Sequence, residues 1–362
     1  MELLIIPDIF NNIFHFINII EDTQSIILIN KKINKLVTEN MLFQNYIKLL
    51  KSPSLAVHNI PGGSPQYYFV KACYYGNPLC KNIIENNDID IHLHNDIPFG
   101  LSCRNGHLGV AKWLLELSRS NGYTLIDIRC KYDYIFIWCC EHGQLEIAKW
   151  LIQLSQSEDF TLIDIHAKND KALRMSCENG HLEVAKWLIE LSQSEGFTPV
   201  NIHDNYAFVV SCEYGQLEIA KWLIKLSQSK GFSLIDIHAD NEVAFRMSCE
   251  NGHLEIAKWL IELSQSDEFT PINIHERNNY AFVVSCENGH LEVAKWLIKL
   301  SQSKGFSLID IHADNDKAFR MSCENGHLEI ANWLIKLSHR RGFSRIPERI
   351  INKYLRNEKK IT

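Results

Sequence analysis

The chain has 362 residues, of which 46% are hydrophobic and 22% are charged, and its formal net charge is −6. This composition is that of a soluble folded protein, and the acidic balance disfavours a general nucleic-acid binder. No run of 18 uncharged apolar residues occurs, and the apolar stretch 1–20 lacks the leading basic residues of an export signal. We therefore expect neither a membrane span nor an export peptide.

Residues 1–50 form a segment that is unrelated to the rest of the chain. Pro7 suits the start of a helix, and Ile9, Ile13 and Phe16 share one helical face. Apolar residues from Ile26 onward recur at three- and four-residue steps and make a second face. The segment is predicted to be a compact bundle of about three short helices.

This segment resembles the F-box over about residues 5–48. It departs from the family at Asp8-Ile9, where x-Glu is usual, and at Phe43, where Trp is usual. The resemblance implies that its helices dock in a groove of a Skp1-type adaptor of a cullin ubiquitin ligase. A helical cap that shields the first repeat is the alternative. The residues that match the family, and would contact the adaptor, are Ile6, Pro7, Ile9, Ile13, Phe14, Phe16, Ile17, Ile29, Ile33, Leu36, Leu42 and Phe43.

Residues 51–66 are predicted to be a linker, because Pro53, Pro61 and Pro65 accompany Gly62 and Gly63 there. The run P-G-G-S-P lacks the Lys-Ser/Thr pair of a phosphate-binding loop. We therefore give this stretch no ligand.

From residue 67 to 343 the sequence repeats itself. Cysteines at 103, 140, 177, 212, 249, 286 and 323 follow one another at steps of 37, 37, 35, 37, 37 and 37 residues. Each begins a near-copy of C-E-N-G-H-L-E-V-A-K-W-L-I-E-L-S, and a degenerate copy starts at Ala72, so that eight units are predicted. A period of this length is typical of repeats that bury their apolar faces against one another.

Each unit predicts two helices. In the copy that begins at Cys177, the first helix ends before Gly180, which allows a tight turn, and Leu182 and Ala185 begin the apolar stripe of the second. Polar residues and a glycine end the second helix. An extended stretch, such as V-N-I-H at 200–203, leads to the next unit.

These units resemble the ankyrin repeat. The run S-C-E-N-G-H-L-E-V-A-K-W-L-I (176–189) falls on the family pattern A-A-x-x-G-H-x-E-V-V-x-x-L-L, and V-N-I-H falls on its hairpin strand. The family's T-P-L-H is replaced by K-A-L-R, Y-A-F-V or V-A-F-R, and the period exceeds the usual ~33 residues. Long, Trp-bearing copies of this kind look like ankyrin arrays encoded by giant DNA viruses of amoebae.

The predicted fold class is therefore all-α. It comprises the small three-helix F-box-like bundle at 1–50, the linker at 51–66, an ankyrin-type helix-turn-helix solenoid of about eight repeats at 67–343, and a C-terminal capping helix or tail at 344–362.

The ankyrin resemblance also indicates where a partner would bind, because the hairpin tips and first helices of such stacks line an extended concave face. Arg174, Arg246 and Arg320 precede their glutamates by four residues, so i,i+4 ion pairs are expected there. A merely solvated face is the alternative. The predicted partner-binding residues are Arg174, Glu178, Asn179, Tyr206, Glu213, Tyr214, Arg246, Glu250, Asn251, Tyr280, Glu287, Asn288, Arg320, Glu324 and Asn325.

Three recurrent rows look chemical but are interpreted as structural. The tryptophans, from Trp113 to Trp333, are expected to form a packing layer between repeats rather than a binding ladder. Cys-x3-His pairs such as Cys177/His181 lie a full layer from the next pair, whereas zinc needs converging ligands. Histidines 166, 203, 238, 275 and 312 meet the same objection. Cysteines one layer apart cannot form disulfides, so a reduced, intracellular protein is expected.

No catalytic constellation is recognisable, and no metal or cofactor is expected. We predict a non-enzymatic protein–protein interaction adaptor in the cytoplasm, which is the host's cytoplasm if the chain is viral. The F-box-like segment would recruit Skp1, and the repeats would hold a substrate protein near the ligase. The alternative is a plain ankyrin scaffold that tethers or blocks a partner without ubiquitin. Neither nucleic acid nor membrane is an expected partner, and a monomer is the default.

Overall fold

The computed structural model describes residues 64–120, 122–200, 205–229, 232–303 and 305–355. The F-box-like segment with its twelve predicted adaptor-binding residues, nearly all of the linker and the end of the C-terminal tail lie outside these ranges. The described chain contains seventeen α-helices and no β-strand. The expected hairpin strand is therefore wrong for described counterparts of V-N-I-H such as 309–312, because the chain enters a tight turn directly after the extended residues.

Two compact units divide the described chain. The first comprises the residues up to Cys139 together with Gln144–Ile163. Within it, α1 contacts both α2 and α3, and α3 contacts α4. Its helices are α1 (Pro65–Tyr74), α2 (Leu79–Asn86), α3 (Leu93–Arg104), α4 (Leu108–Ser118), α5 (Cys130–Glu141), whose last two residues belong to the second unit, and α6 (Leu145–Ser155).

The second unit comprises residues 140–143 and the chain from Asp164 onward. Each first helix contacts the first helix of the next repeat, in the order α7, α9, α11, α13 and α15, and α17 contacts α15. The helices are α7 (Ala167–Glu178), α8 (Leu182–Ser192), α9 (Tyr206–Glu213), α10 (Leu217–Ser227), α11 (Ala239–Glu250), α12 (Leu254–Leu263), α13 (Glu276–Glu287), α14 (Leu291–Ser301), α15 (Ala313–Glu324), α16 (Leu328–Ser338) and α17 (Glu348–Leu355).

Small and apolar side chains allow the helices of each pair to pack closely. In α11 the side chains of Phe245 and Cys249 are almost wholly buried, and in α12 Ala257 and Leu260 are buried too. The buried hydroxyl of Ser248 donates to the carbonyl of Phe245 at 2.8 Å, so its polarity is satisfied inside the helix. The apolar stripe of the sequence thus becomes the core between repeats.

Most first helices begin with a left-handed turn. In α15 the residues Asp314, Asn315 and Asp316 have φ values of 53°, 59° and 59°. Asp and Asn tolerate this conformation better than most residues. The repeat that contains α9 is two residues shorter. In the described part of its turn, one residue, Asn205, has a left-handed conformation, with φ of 55°. Helix α9 therefore begins directly at Tyr206.

Candidate protein-binding surface

The ends of several first helices contact the following repeat. Gly252, with φ of +79°, lies so close to the next repeat that a methyl group on it would stand 2.5 Å from Nδ1 of His290. The His290 ring hydrogen-bonds to the backbone carbonyl of Glu250. Where the sequence has glutamine instead, Nε2 of Gln216 donates to the carbonyl of Glu178 at 3.0 Å. These contacts align the predicted partner-binding glutamates.

Three of those glutamates end first helices that follow one another in the stack. Glu178, Glu213 and Glu250 end the first helices α7, α9 and α11, which contact one another in turn. Partial burial raises the pKa of Glu213, and the negative charges of Glu178 and Glu250 raise it further. Glu213 therefore lies within the field of the other two carboxylates, and the three form one acidic strip.

Tyrosines flank this strip. Tyr206 is 47% exposed and Tyr214 is 49% exposed. The charge of Glu178 is the main cause that raises the pKa of Tyr214, so the phenol lies within the same negative field. We call Glu178, Tyr206, Glu213, Tyr214 and Glu250 the acidic–tyrosine patch. It combines negative charge with exposed aromatic rings.

The structure does not form the expected ion pairs between the arginines and the glutamates four residues later. The guanidinium of Arg246 donates to the carbonyls of Asn241 at 2.7 Å and Asp240 at 3.0 Å, and stacks over the Tyr280 ring at 5.1 Å. Arg320 makes the equivalent bonds to the carbonyls of Asn315 and Asp314. The reason is the left-handed turn, which presents its carbonyls to the arginine one helical turn later.

Arg246 is only 4% exposed, so its bonds brace the turn and leave little of it for a partner. Arg174 lies over the ring of Tyr206 at 4.6 Å and donates to the carbonyl of Lys168 at 3.1 Å. The sequence signal for these contacts is the alternation of Arg-bearing and Tyr-bearing first helices.

After Glu250, the predicted partner-binding residues make hydrogen bonds and an ion pair between neighbouring repeats. The hydroxyl of Tyr280 donates to Glu250 at 3.1 Å, and Lys317 lies 3.8 Å from Glu287. Asn288 donates to the carbonyl of Glu250 at 2.9 Å, and Asn325 donates to that of Glu287 at 2.8 Å. Asn179 and Asn251 bond within their own helices, and Glu324 is exposed at the last repeat.

The tryptophan row packs between repeats in the pairs whose rings are in contact. Trp259 lies 6.3 Å from the ring of Phe208, and Trp296 lies 6.4 Å from that of Phe245. Each phenylalanine belongs to the repeat before its tryptophan. The prediction of a packing layer is therefore confirmed for these pairs, and the tryptophans are half-buried.

The recurrent cysteines lie in the interior of the repeats. All eleven cysteines are buried, and none of them is in a disulfide. Burial raises the pKa of Cys177 to about 12, which suppresses its thiolate. In the part of the chain that the structure describes, no group of three or more His, Cys, Asp or Glu side chains is placed to hold a metal ion. His203 and the preceding residues 201 and 202 lie outside that part.

The fold defines a class of protein: helix-turn-helix repeats whose first helices, in the second unit, contact one another in turn. A family model for ankyrin repeats (three copies) matches residues 69–164, 136–234, 173–272 and 245–341. The chain belongs to the ankyrin-repeat family. No curated protein matches the chain. Among the described helices, none has the length and apolarity needed to cross a membrane.

Proposed function

We propose that this chain is a protein–protein interaction adaptor that holds its partner on the first-helix side of the repeats. Ankyrin repeats indicate a protein-binding scaffold in general. The observation that carries the proposal is the acidic–tyrosine patch, where three carboxylates share one strip next to two half-exposed phenol rings. Stacked like charges reduce stability, so a binding role accounts for a strip that packing alone does not require.

The chemistry of the patch favours a basic segment of the partner. Lys and Arg side chains would pair with Glu178, Glu213 and Glu250, and their cations would also lie against the ring of Tyr214, as Arg174 of this chain already lies over the ring of Tyr206. Such contacts depend on ionic strength, since the patch is open to solvent.

The test compares two triple variants of equal charge. Glu178→Gln/Glu213→Gln/Glu250→Gln removes the patch, and the control replaces three exposed glutamates on the second helices, Glu183, Glu218 and Glu255, with glutamine. The probes are a fluorescent Lys/Arg-rich peptide and a Glu-rich peptide of the same length. We expect the parent and the control to bind the basic peptide, and the patch variant to lose at least tenfold in affinity. Equal losses of affinity in both variants would show that the overall charge of the protein, and not the patch, determines binding of the basic peptide.

The finer part of the proposal concerns the F-box-like segment at 1–50, which would recruit a Skp1-type adaptor and bring the bound partner to a ubiquitin ligase. It is supported by the apolar residues of that segment, such as Pro7, Ile13 and Phe16. The buried, reduced cysteines support an intracellular location.

Purified Skp1 tests this part directly. The full chain should capture it, and a Pro7→Ala/Ile13→Asp/Phe16→Asp variant should not, while both should bind the basic peptide equally. Capture by neither protein, with intact peptide binding, would leave a plain scaffold that tethers or blocks its partner.

A further inference from the structure

One row of histidines ties each repeat to the next. In each case Nδ1 contacts a side-chain oxygen four residues later, and Nε2 faces a residue 32 positions later, in the following repeat. An acidic or amide residue follows each of these histidines at the same spacing in the sequence. The described members are His92, His166, His238, His275 and His312.

His312 faces two groups that only accept hydrogen bonds. Its Nδ1 contacts Oδ1 of Asp316, and its Nε2 contacts the carbonyl oxygen of Ser344 at 3.0 Å. A neutral imidazole carries one N–H and can satisfy only one of two such acceptors, whereas the imidazolium carries two. The contacts are therefore both satisfied when His312 is protonated and Asp316 is ionised.

The carboxylate of Asp316 lacks a hydrogen-bond donor that the equivalent carboxylate of another repeat has. Its side chain is 7% exposed. At the same position Asp96 receives the backbone N–H of Asp127 at 3.0 Å. The residue that corresponds to Asp127 after Asp316 is Pro347, which has no N–H to donate. A buried carboxylate without donors is costly, and the structure gives Asp316 the ring of His312 as its donor.

Another repeat fills the same position with a permanent cation. Arg129 stands where the other repeats have histidine, and its guanidinium donates to Asp133 at 2.7 and 2.9 Å and to Thr161 at 3.3 Å. The position thus accommodates a positive charge between the carboxylate and the following repeat. His275 is the contrasting case: its ring faces the amide oxygen of Asn279 and the hydroxyl of Ser307. That hydroxyl can donate to the ring, so a neutral imidazole satisfies both contacts.

We propose that His312 is an imidazolium in the native protein, and that its Nε2–H bond to the carbonyl of Ser344 holds the segment from Ser344 to α17 against the last repeat. We call this hydrogen bond the clip. The neighbouring charged group on its own turn is Asp310, whose carboxylate accepts the backbone N–H of His312 at 2.9 Å. From the preceding repeat, the uncharged Asn278 reaches the carboxylate of Asp314 at 2.7 Å.

The proposal predicts that the clip weakens as pH rises. Above the usual histidine value of about 6.5, the closed segment binds one proton more than the open one, since an isolated histidine is then neutral and an isolated aspartate is ionised. The equilibrium constant for opening should therefore rise by up to tenfold per pH unit.

The experiment uses the full chain with 15N-labelled histidine and hydrogen exchange of α17. At pH 7 the ring nitrogens of His312, assigned by their loss in His312→Arg, should both show the protonated shift. Protection of the α17 amides, corrected for intrinsic exchange rates, should fall between pH 6 and 9 in the parent. It should be independent of pH in His312→Arg, which copies the Arg129 arrangement.

Asp316→Asn is the second variant, because the amide can donate from its NH2 group to Nδ1 of a neutral His312 while Nε2–H donates to the carbonyl of Ser344. With an amide at this position the neutral ring satisfies both neighbours, so protection should again be independent of pH. A neutral tautomer of His312 at pH 7, or the same pH dependence in all three proteins, overturns the proposal.

Discussion

The glycine of an N-G-H turn meets two demands where another repeat follows it. Gly252 has a φ of +79°, and the His290 ring of the next repeat occupies the space that a side chain would need. The first demand arises within one repeat and the second between two repeats. The glycine is therefore required both by its own backbone and by its neighbour.

Gly326 separates these two demands, because it has the same conformation, with φ of +78°, but open space around it. We expect Gly326→Ala to cost about 1 kcal/mol of stability from the left-handed backbone alone. Gly252→Ala should cost about 2–4 kcal/mol, since the His290 ring must also move. Urea unfolding midpoints measure both. Equal losses would show that the neighbouring ring does not constrain the turn.

The histidines that fill these turns predict a loss of stability in acid. Burial lowers the pKa of His253 and His290, although their bonds to backbone carbonyls partly oppose it. Near pH 6.5 the unfolded chain therefore binds more protons than the folded one. Stability should fall as pH drops from about 6.5 towards the lower folded values, by at most about 1.4 kcal/mol per pH unit for each ring.

His253→Gln/His290→Gln tests this effect, because Gln216 shows that glutamine keeps the carbonyl contact without titrating. Unfolding midpoints at pH 7.5 and 5.5 should differ less in the variant than in the parent. An unchanged difference would assign the acid sensitivity to other groups. The sign is opposite to that expected for His312, so the two effects are separable.

At the scale of the helix, two kinds of first helix alternate because their side chains complement each other. Arg246 of α11 stacks over Tyr280 of α13 at 5.1 Å. No further Tyr-bearing repeat follows Arg320 of α15. Instead, Arg320 hydrogen-bonds to Tyr354 of α17, and this bond is the main cause that lowers the pKa of that tyrosine. Helix α17 thus supplies the tyrosine that a further repeat would supply. This contact supports the capping role predicted for the C-terminal segment.

The helix pairs could be predicted from the sequence, because the apolar spacing, the glycine turn and the tryptophan row are all local patterns that recur. The arginine contacts could not. The i,i+4 rule assumes a regular helix before Arg246, whereas residues 240–242 have positive φ and turn their carbonyls towards its guanidinium. The stacked glutamates were predicted as a surface, but their mutual repulsion depends on distances between repeats.

The tryptophan layer predicts a large cost for truncation. Trp296 of α14 packs on Phe245 of the preceding repeat, so Trp296→Ala should cost about 3–5 kcal/mol. The control is Glu292→Ala on the same helix, whose side chain is 74% exposed and should change stability by less than about 0.5 kcal/mol. Thermal and urea unfolding measure both. A loss below about 1 kcal/mol at Trp296 would mean that the ring contributes little to packing.

At the scale of the whole chain, a repeat is stabilised mainly by the repeats next to it. The reactivity of the cysteines can measure how strongly each repeat depends on its neighbours, because each thiol is buried within its own repeat. Burial also raises the pKa of Cys212, Cys249 and Cys286 well above the usual value for a thiol. A thiol reagent can attack such a residue only after local opening.

Pulsed alkylation followed by peptide mass mapping should therefore rank the repeats of the second unit. Cys249, in a repeat with neighbours on both sides, should react more slowly than Cys323, which is 4% exposed in the last repeat. Trp296→Ala should accelerate labelling of Cys249 and Cys286 more than that of Cys177, since only the contact between α11 and α14 is weakened. Uniform acceleration would indicate that the unit opens as one cooperative block, and labelling of Cys249 at the rate of a free thiol would contradict its burial.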